Sequence, residues 1–505
     1  MIMILYNNLK TKIMKKTFTL FTVLLTTVVT FAQTSSKTWN LQGSGTESDP
    51  YKISSAADFK SIAENISATN TGAGEYFLVT ADIDFGGTAN SPVQLPAIAK
   101  AAITSITSVA WGFDGILDGG NHTISGIYHT NNANDADGKF NALFSSLGKS
   151  GVIKNLVFGA DNYVSSYNYV SSIVSLSKGK IENCVNKANI IAANAFAGGI
   201  CGYLVGGTGE IISSDNYGAI KAMTYAAGIL GGSQSGTTIT DYKYLVESCH
   251  NYGNLSTTNA LGSAGIAGSF SGSIKNCVNE GKIEEAEKAT GNYTAGIVAA
   301  YAYVVSCEGN TNKGSITGNK GVGGIIGTVI KGDDKDAVIS SCINEGSVSG
   351  RGANIGGIVA NSARVSGVIT LTKCKNSGVV TTTAEDKTTI GNLRGNSNIV
   401  IGEENVIADG LEHLYLDPSS DGITNISLNQ GDTYYLNPII TPSDATNKNI
   451  TYKSSNPSVA SVNSGYIQAI NPGIANITLT CDNVSISVIV LVKSKTFTNP
   501  LLNGA

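Results

Sequence analysis

The 505-residue sequence has little charge: Asp, Glu, Lys and Arg together make up 14% of it, the net charge is −4, and only three arginines occur. The charges form no blocks, so there is no basic patch of the kind that binds nucleic acid or acidic lipid, and we expect no nucleic-acid partner. The four histidines are scattered, and the cysteines lack the spacing of metal ligands. We therefore predict neither a metal site nor a cofactor.

Long apolar runs are also scarce. After the N-terminus, no segment approaches the roughly 20 apolar residues that a membrane-spanning helix needs. Met14-Lys15-Lys16 gives a basic start, residues 17–30 are apolar, and Thr30-Phe31-Ala32 forms a small-residue boundary. This pattern is typical of a cleaved secretory signal, so we assign 1–32 to upstream residues and a signal peptide. The mature chain is expected to be extracellular or on the cell surface, with the periplasm possible, and to have no membrane span.

Glycine is abundant, with 59 residues, and this favours many short strands joined by tight turns over helical bundles. A unit that reads apolar-x-x-Cys-x-Asn-x-Gly-x-apolar recurs seven times at intervals of about 30 residues, which indicates a solenoid. Its copies centre on Cys184, Ser214, Cys249, Cys277, Cys307, Cys342 and Cys374. A second strand signal lies between the centres, at Gly198-Gly199-Ile200, Gly228-Ile229, Gly265-Ile266, Gly296-Ile297, Gly323-Gly324-Ile325 and Gly356-Gly357-Ile358.

These units predict an all-β fold, a right-handed parallel β-helix solenoid. A strand pair this short cannot bury its own apolar face, so each coil must stack on its neighbours, about 4.8 Å apart. The Gly four residues past each centre is expected to supply a positive φ at a turn, and the Asn two residues past the centre should hydrogen-bond to its counterpart one coil away. Helical solenoids are excluded, because Gly-Gly-Ile and Asn-x-Gly units do not sustain helical periodicity.

The remaining segments give the domain organisation. Residues 33–130 should form an N-terminal cap and the first coils, with a short capping helix over 54–66 that places Phe59 and Ile62 on its apolar face. Residues 131–400 hold the repeat β-helix and 401–420 a linker. Residues 421–493 contain seven short strand signals, which suits an Ig-like β-sandwich, and 494–505 form a tail.

Cysteine is the one residue type whose role is ambiguous from composition. Disulfides are common in exported proteins, but stacked cysteines in register point in parallel, which suits a buried, mostly unpaired internal stack better than bridge geometry. Asp135-Ala136-Asp137-Gly138 weakly resembles a calcium loop. However, Ala133 and Phe144 stand where its first ligand and its bidentate Glu should be, so no calcium site is predicted.

Two resemblances support this organisation. Ala295-Gly296-Ile297-Val298, followed by Val304-x-x-Cys307, resembles the GLUG-type repeats of large bacterial surface and secreted proteins, and the likeness covers roughly residues 140–380. It implies a β-helix and extracellular placement, and it implies no reaction. The segment 450–462, followed by Gly465 and Ala475-x-Ile477, closely resembles group 2 bacterial Ig-like domains, with Tyr452 at the usual Trp position. That resemblance implies a spacer or adhesive module.

For function, the sequence favours a secreted or cell-surface, non-catalytic protein of adhesion or glycan-binding type. Tyr217 and Tyr252 fall at matching outward positions on adjacent coils, and Tyr225 and Tyr293 occupy matching positions before the Gly-Ile strands. Stacked tyrosines offer broad apolar faces with a polar tip, so these four residues are predicted to contact glycans. Simple ladder packing between coils is the alternative for them. Host or cell-surface proteins are other possible partners, and the oligomeric state is open.

An enzyme is the alternative class, because parallel β-helices also host polysaccharide-degrading enzymes with clustered carboxylates. The nearest approaches to such pairs are Asp82 with Asp84 and Asp114 with Asp118, which we interpret as turn residues beside glycine. The tail 496–505 resembles the opening of family 43 glycoside hydrolase domains. That resemblance would make the chain the accessory N-terminal part of a truncated or split enzyme. We expect no catalysis by the chain itself.

Overall fold

The computed structural model describes residues 39–106, 108–235, 243–259, 261–287, 291–330, 336–363, 367–384, 390–391, 393–395, 399–401, 406–407, 413–416, 425–441, 448–481 and 484–494. Within these ranges the chain is almost entirely β-structure. From Tyr51 to Ile407 short strands pair in parallel with strands about one repeat further along the chain. The predicted parallel β-helix is therefore confirmed.

Three sheets, here called sheets I, II and III, form the walls of the solenoid in its described part. Sheet I contains Tyr51–Ile53, Tyr76–Val79, Ile116–Asp118, Phe144–Leu147, Val152–Lys154, Val174–Ser177, Lys180–Glu182, Cys201–Leu204, Glu210–Ile212, Leu230–Ser233, Leu245–Glu247, Ala267–Lys275, Val298–Glu308, Ile326–Val329, Ala337–Ser340, Val359–Ser362, Ile369–Thr372 and Ile399–Ile401. Sheet II contains Ile83–Asp84, Thr123–Ser125, Val157–Phe158, Val185–Asn186, Asp215–Asn216, His250–Asn251, Val278–Asn279, Thr311–Asn312, Ile343–Asn344, Lys375–Asn376 and Val406–Ile407. Sheet III contains Tyr128–Asn131, Tyr163–Val170, Asn189–Gly198, Ile220–Ala222, Tyr225–Ala227, Leu255–Thr257, Gly262–Ala264, Ile283–Glu285, Asn292–Ala295, Ile316–Gly318, Lys320–Gly323, Val348–Gly350, Ile355–Gly356, Val380–Thr382 and Ile390–Gly391.

The core of the solenoid lies between these sheets and consists of columns of equivalent side chains. One column on sheet I passes from Ile181 through Ile211 and Val246 to Ile274, with each residue in register with the next. All four side chains have no exposed surface. Because a single coil is too thin to shield such residues, their burial depends on the coils stacked on either side.

A ladder of buried asparagines runs along sheet II, as the repeat predicted. Each side chain donates from Nδ2 to the Oδ1 of the asparagine on the next coil at 2.7–2.8 Å, from Asn186 through Asn216, Asn251, Asn279, Asn312 and Asn344 to Asn376. Its second N–H donates to the carbonyl oxygen two residues ahead, for example from Asn251 to Gly253 at 2.9 Å. The amide groups therefore satisfy one another inside the core, where an unpaired polar group would be costly.

The Gly two residues after each ladder asparagine has a different role from the predicted one. Gly253, Gly281, Gly314 and Gly346 do not have positive φ. A Cβ atom on each of them would instead collide with the carbonyl oxygen of the equivalent glycine on the preceding coil. The prediction of a left-handed Gly was therefore wrong, and close backbone approach is what requires glycine here.

The left-handed bend lies one residue before each repeat centre, where Asn310 is the centre of the fifth repeat in place of Cys307. The residues at this position have φ between 47° and 68°, and they are Asn183, Ser213, Ser248, Asn276, Gly309, Ser341 and Lys373. Asn and Gly tolerate this conformation best, and the short hydroxyl residues are the next smallest at this corner. The corner itself was predicted, but its left-handed residue was assigned five positions too late.

The fifth repeat is also aligned differently from the prediction. Cys307 pairs in register with Ile274 and Ile339, so it occupies the apolar position of its coil and not the centre. Asn310 takes the central place, where its Oδ1 accepts a hydrogen bond from Cys277 N at 3.0 Å, as Ser214 Oγ does from Cys184 N at 3.1 Å. With Asn310 as the centre, Asn312 and Gly314 keep the spacing of the other repeats.

The cysteines of the repeats are buried inside the solenoid. Cys184, Cys249, Cys277, Cys307 and Cys342 are free thiols, and Cys201 on sheet I is another. The Cys184 and Cys249 thiols donate to backbone carbonyl oxygens at 3.4–3.7 Å. Burial raises the pKa of Cys184 to about 12, because the thiolate would lose its hydration.

A short helix, Ala56–Asn65, follows the first strand as predicted. Ser55 caps its N-terminus by accepting a hydrogen bond from Asp58 N at 3.3 Å, and Phe59 and Ile62 are fully buried. A 3₁₀ turn, Lys100–Ala102, leads into a small hairpin of Ile103–Ser105 and Ser108–Val109.

The C-terminal described residues form the Ig-like sandwich. One sheet orders Asn425–Asn429, Val484–Lys493, Gly473–Cys481 and Thr451–Ser454, and the other orders Thr433–Tyr435, Tyr466–Ala469 and Ala460–Asn463. Its core includes Leu436, Ile467, Ile477, Val488 and Val490. A further pair joins His413–Leu416 to Pro438–Thr441. Val406–Ile407, which pairs within the solenoid, and His413–Leu416 both fall within the segment predicted to be a linker.

Candidate functional site

Tyr217 and Tyr252 lie where the chain leaves sheet II, directly after the ladder residues Asn216 and Asn251. Because the ladder fixes each asparagine, the next residue is held at the same outward place on adjacent coils. The two rings stack with centroids 4.5 Å apart and planes 8° apart. Their side chains are 48% and 37% exposed, the highest values of any Phe, Tyr or Trp in the described part of the solenoid. The structure thus brings the predicted pair together on the surface.

The two faces of the Tyr252 ring are both covered. Tyr217 stacks on one, and the imidazole of His250 lies 3.9 Å from the Tyr252 centroid at an interplanar angle of 22°, which requires the opposite face. Partial burial, followed by the neighbouring Tyr217 hydroxyl, raises the pKa of the Tyr252 phenol. The open stacking face of the pair therefore belongs to Tyr217.

Charged groups continue this surface onto the following coils. Lys313 donates to Glu280 Oε1 at 3.0 Å, and that hydrogen bond lowers the pKa of Glu280. His250 Nε2 lies 3.5 Å from the same oxygen without hydrogen-bond geometry, so the contact becomes an ion pair only when the imidazole is protonated. Burial lowers the pKa of His250. With the imidazole neutral at pH 7, the paired Lys313 and Glu280 leave this polar edge without net charge.

Tyr225 and Tyr293 belong to a second column, on sheet III. Tyr225 stacks on Phe196 with centroids 4.5 Å apart and planes 3° apart. Strand register places Gly262 between the two tyrosines, with Tyr225 on the preceding coil and Tyr293 on the following one. Because glycine has no side chain, the intervening coil contributes no ring to the column. Both rings are partly exposed, and the structure does not bring them into one stacked pair.

Three further aromatic residues of this column escaped prediction. Phe140, Tyr169 and Phe196 continue the stack of Tyr225, with centroids 5.2 and 5.0 Å apart, and Tyr203 packs edge-on against Tyr169 and Phe196. Phe196 precedes Gly199-Ile200 as Tyr225 precedes Gly228-Ile229, and this spacing was the available signal for it. Tyr169 and Phe140 precede Ser172-Ile173 and Ala142-Leu143, which lack the Gly-Ile signal. The left-handed φ of Phe140, Tyr169 and Phe196, at 55–61°, could not be predicted from residue type, since bulky residues rarely adopt it.

The predicted carboxylate pairs accept hydrogen bonds, Asp84 and Asp118 within local turns and Asp82 and Asp114 from the next coil. Asp82 Oδ1 accepts from Thr123 N at 2.8 Å and lies 3.2 Å from His122 Nδ1, and Asp84 accepts from Gly86 N. Asp114 accepts from Ser150 N, and Asp118 accepts from Gly120 N and Asn155 Nδ2. These contacts satisfy backbone and amide donors, which is the role expected for Asp beside Gly.

Two features of the described ranges bear on ion binding and membrane spanning. No cluster of three or more His, Cys, Asp or Glu side chains there is arranged to hold a metal ion. Asp135, from the sequence that weakly resembles a calcium loop, accepts a hydrogen bond from Gly138 N at 2.8 Å. No helix in the described ranges is long and apolar enough to cross a membrane.

The fold thus defines a parallel β-solenoid that bears an outward aromatic pair and is followed by an Ig-like domain. Residues 423–492 match the model of the bacterial Ig-like domain (group 2). Over 160 residues, 32% of the chain, the sequence is 31% identical to Halomucin from Haloquadratum walsbyi, and this match spans only 2% of that protein. A putative immunoglobulin A1 protease from Bacteroides ovatus superposes with a TM-score of 0.39 and 19% identity, covering 72% of this chain and 86% of that one.

Proposed function

We propose that this chain is an exported, non-catalytic glycan-binding or adhesion protein. In this proposal the solenoid presents the binding surface and the Ig-like domain acts as a spacer or adhesive module. The observation that carries it is the Tyr217–Tyr252 pair, since its rings are the most exposed aromatic ones in the described solenoid and stack 4.5 Å apart. Packing between equivalent residues of adjacent coils explains why the two rings stack. It does not explain why two large aromatic rings are exposed to solvent.

The open face of Tyr217 is the proposed contact surface for a sugar ring. The apolar C–H face of a pyranose packs on such a ring, and the tyrosine hydroxyl remains at the edge for a hydrogen bond. Lys187, exposed on the preceding coil, lies beside this face because Asn186 and Asn216 are in register. Tyr252 supports Tyr217 from behind, held in turn by His250. Tyr225 and Tyr293 stay proposed contacts of a second, partly exposed surface.

Extracellular or surface placement is part of the proposal. The partial match to Halomucin, the Ig-like domain and the repeated solenoid favour it, as does the resemblance of the repeats to the GLUG type. The signal segment over 1–32 lies outside the described residues. Glycans or other cell-surface molecules would then be the partners, in agreement with the absence of a basic patch from the sequence.

The chain is proposed to catalyse no reaction. Asp84 and Asp118 accept hydrogen bonds within local turns, and Asp82 and Asp114 accept them from the next coil, which supports a structural role for these carboxylates. Residues 496–505, which resemble family 43 glycoside hydrolases, lie outside the described residues. An accessory role beside such an enzyme would use the same glycan contacts.

A glycan array with the full chain tests the proposal. Tyr217→Ala should lower the signal of bound glycans at least tenfold, a loss of about 1.4 kcal/mol or more, whereas Tyr217→Phe keeps the stacking face and should retain most of it. Tyr466→Ala, which removes a 60% exposed tyrosine of the Ig-like domain, is the matched control. If Tyr217→Ala, alone or with Tyr252→Ala, leaves every glycan signal unchanged, the proposal is wrong.

A further inference from the structure

Two segments leave the regular path of the solenoid on consecutive coils. Residues 86–112, between Ile83–Asp84 and Ile116–Asp118, carry the 3₁₀ turn and the small hairpin where later coils place a sheet III strand. Residues 132–139, directly after Tyr128–Asn131, form a loop before the next sheet I strand. Long aperiodic segments are not needed to stack coils, and such segments frequently carry binding sites.

The first segment is fixed firmly against the solenoid. Ile98 N donates to Leu143 O at 2.9 Å, Ile98 O accepts from Ser145 N, and Lys178 Nζ donates to Val109 O at 2.8 Å. Ile103, Ile106 and Val109 of the hairpin pack against a buried cluster of Phe140, Leu176, Tyr203 and Val205. These contacts make the hairpin a preformed wall.

Lys100 joins the two segments. Its Nζ donates to Asp137 O and to Asn141 Oδ1, both at 2.8 Å. Burial lowers the pKa of Lys100, and the nearby Asp137 and Asp135 oppose that shift. The contact uses the backbone of Asp137, so the Asp137 carboxylate stays available for another partner.

A cleft of about 620 Å³ lies between the two segments, within the roughly 300–1,000 Å³ of small-molecule sites. Phe140 and Tyr169 line it, stacked on each other 5.2 Å apart in left-handed backbone conformations. Phe196 stacks on the other face of Tyr169, so Tyr169 presents its edge to the cleft. Such a conformation in an aromatic residue is strained, and the surrounding structure must hold it in place. The cleft therefore has rigid aromatic and aliphatic sides.

The polar groups of the cleft balance in charge. Asp135 and Asp137 face Lys100 and Lys139, and Lys139 also lies 5.7 Å from the centre of the Tyr167 ring. Asn168 lines the cleft too, and because its Oδ1 accepts from Ala195 N, its Nδ2 is the group left to donate to a ligand. Equal numbers of acids and bases do not favour an ion. Carboxylate and amide groups beside aromatic side chains suit the hydroxyls and the C–H groups of a sugar.

We propose that this cleft is a further binding site, which takes a neutral sugar of one or two rings with its C–H groups against Phe140 and the edge of Tyr169 and its hydroxyls on Asp137 and Asn168. Tyr217 does not line the cleft, so binding there does not require the stacked pair. The existence of the site is independent of whether Tyr217 binds a glycan.

Saturation-transfer NMR of the full chain with the methyl glycosides of glucose, galactose, mannose, fucose and N-acetylglucosamine tests the site. At least one of them should bind, and Asp137→Ala should weaken its binding at least tenfold while leaving the Lys100 contact to the backbone. Tyr169→Asn should do the same. Asparagine suits the left-handed backbone, and Asn354 occupies the equivalent column position with φ of 59°.

Phe196→Asn is the matched control, because Phe196 has the same φ region and the same stacking but does not line the cleft. It should keep sugar binding, and Tyr217→Ala should keep it as well, which separates this site from the surface pair. Absence of binding by every glycoside would overturn the proposal, as would equal losses in Tyr169→Asn and Phe196→Asn. Binding of a zwitterionic dipeptide such as Gly-Phe in place of all the sugars would overturn the ligand assignment.

Discussion

Replacing one asparagine in the middle of the ladder should locally unfold the solenoid. Asn279 is fully buried, accepts from Asn251 Nδ2 at 2.7 Å, and donates to Asn312 Oδ1 at 2.8 Å and to Gly281 O at 3.0 Å. In Asn279→Ala these three partners lose their hydrogen bond inside the core. Each buried group left unsatisfied costs about 1–3 kcal/mol, so the expected loss is about 4 kcal/mol of unfolding free energy.

The geometry also predicts how the effect varies with the substituent. Asn279→Asp keeps the shape but places a carboxylate oxygen against Gly281 O and Asn312 Oδ1, and it buries a charge. It should therefore be at least as destabilising as Asn279→Ala. The outward neighbour Val278 is the matched control, and Val278→Ala should cost less than about 1 kcal/mol, as surface substitutions usually do.

Hydrogen exchange resolved by segment is the suitable assay, because coils of a solenoid are stabilised mainly by their neighbours and a local defect can open locally. Backbone amides of the coils that hold Asn251, Asn279 and Asn312 should lose protection in Asn279→Ala, while those near Asn186 keep it. If Asn279→Ala and Val278→Ala lose equal protection, the ladder does not stabilise the core in the way argued above.

Three further outcomes are expected. Burial first, and then the nearby Lys100, lowers the pKa of His129 to about 4 from 6.5. The unfolded chain therefore binds a proton that the folded chain rejects between these pH values, and unfolding free energy should fall by up to roughly 3 kcal/mol as pH drops from 6.5 to 4. His129→Gln should flatten this part of the thermal-melting profile, and a profile parallel to that of wild type would contradict the shift. Gly281→Ala should cost several kcal/mol in chemical unfolding because its Cβ meets the carbonyl oxygen of Gly253, whereas Gly352→Ala, with its nearest contact at 3.2 Å, should cost about 1 kcal/mol or less. Cys184 should resist iodoacetamide in the native protein, as its raised pKa and burial require, and react after denaturation; native labelling within minutes would contradict its position in the core.

Sequence periodicity was sufficient to predict the architecture because every coil repeats the same inward residues. The asparagine ladder could be predicted for a further reason: a polar side chain at a fixed place in each apolar unit must find a partner, and its counterpart one coil away is nearest. The short capping helix and the Ig-like sandwich were also predicted, each from a period that differs from that of the solenoid.

The errors in the repeats come from residues whose type allows two physical explanations. Glycine is required both where φ is positive and where no Cβ fits, and the sequence does not distinguish Gly253 from the left-handed Gly309. Cys307 matched the motif by residue type, although the two-residue step from Asn310 to Asn312 was the better guide to register. In both cases only the strand pairing shows which contact the residue makes.

The stacked tyrosine pair could be predicted from the sequence and the cleft could not, because only the pair follows the repeat. A column of equivalent positions indicates that side chains will stack, as Tyr217 and Tyr252 do, but it does not show which ring face stays open once His250 takes the other. The cleft could not be found this way, because residues 86–112 and 132–139 follow no repeat and meet only through contacts such as that of Lys100 with Asp137.

Departures from the repeat are therefore the places where binding specificity is expected in this fold. A regular coil must direct its apolar side chains inward and offer nearly the same outer surface as its neighbours, so a ligand could not distinguish one coil from the next. The excursions beside Phe140 and Tyr169 break this equivalence: they form a wall at one level of the stack only, and Lys100 and Lys178 fix them there. The same reasoning distinguishes Tyr217 from the equivalent residues of other coils. Its column is not uniform and contains, in order, Lys187, Tyr217, Tyr252 and Glu280. A surface that is periodic stabilises the solenoid, and the few aperiodic positions on it can recognise a partner.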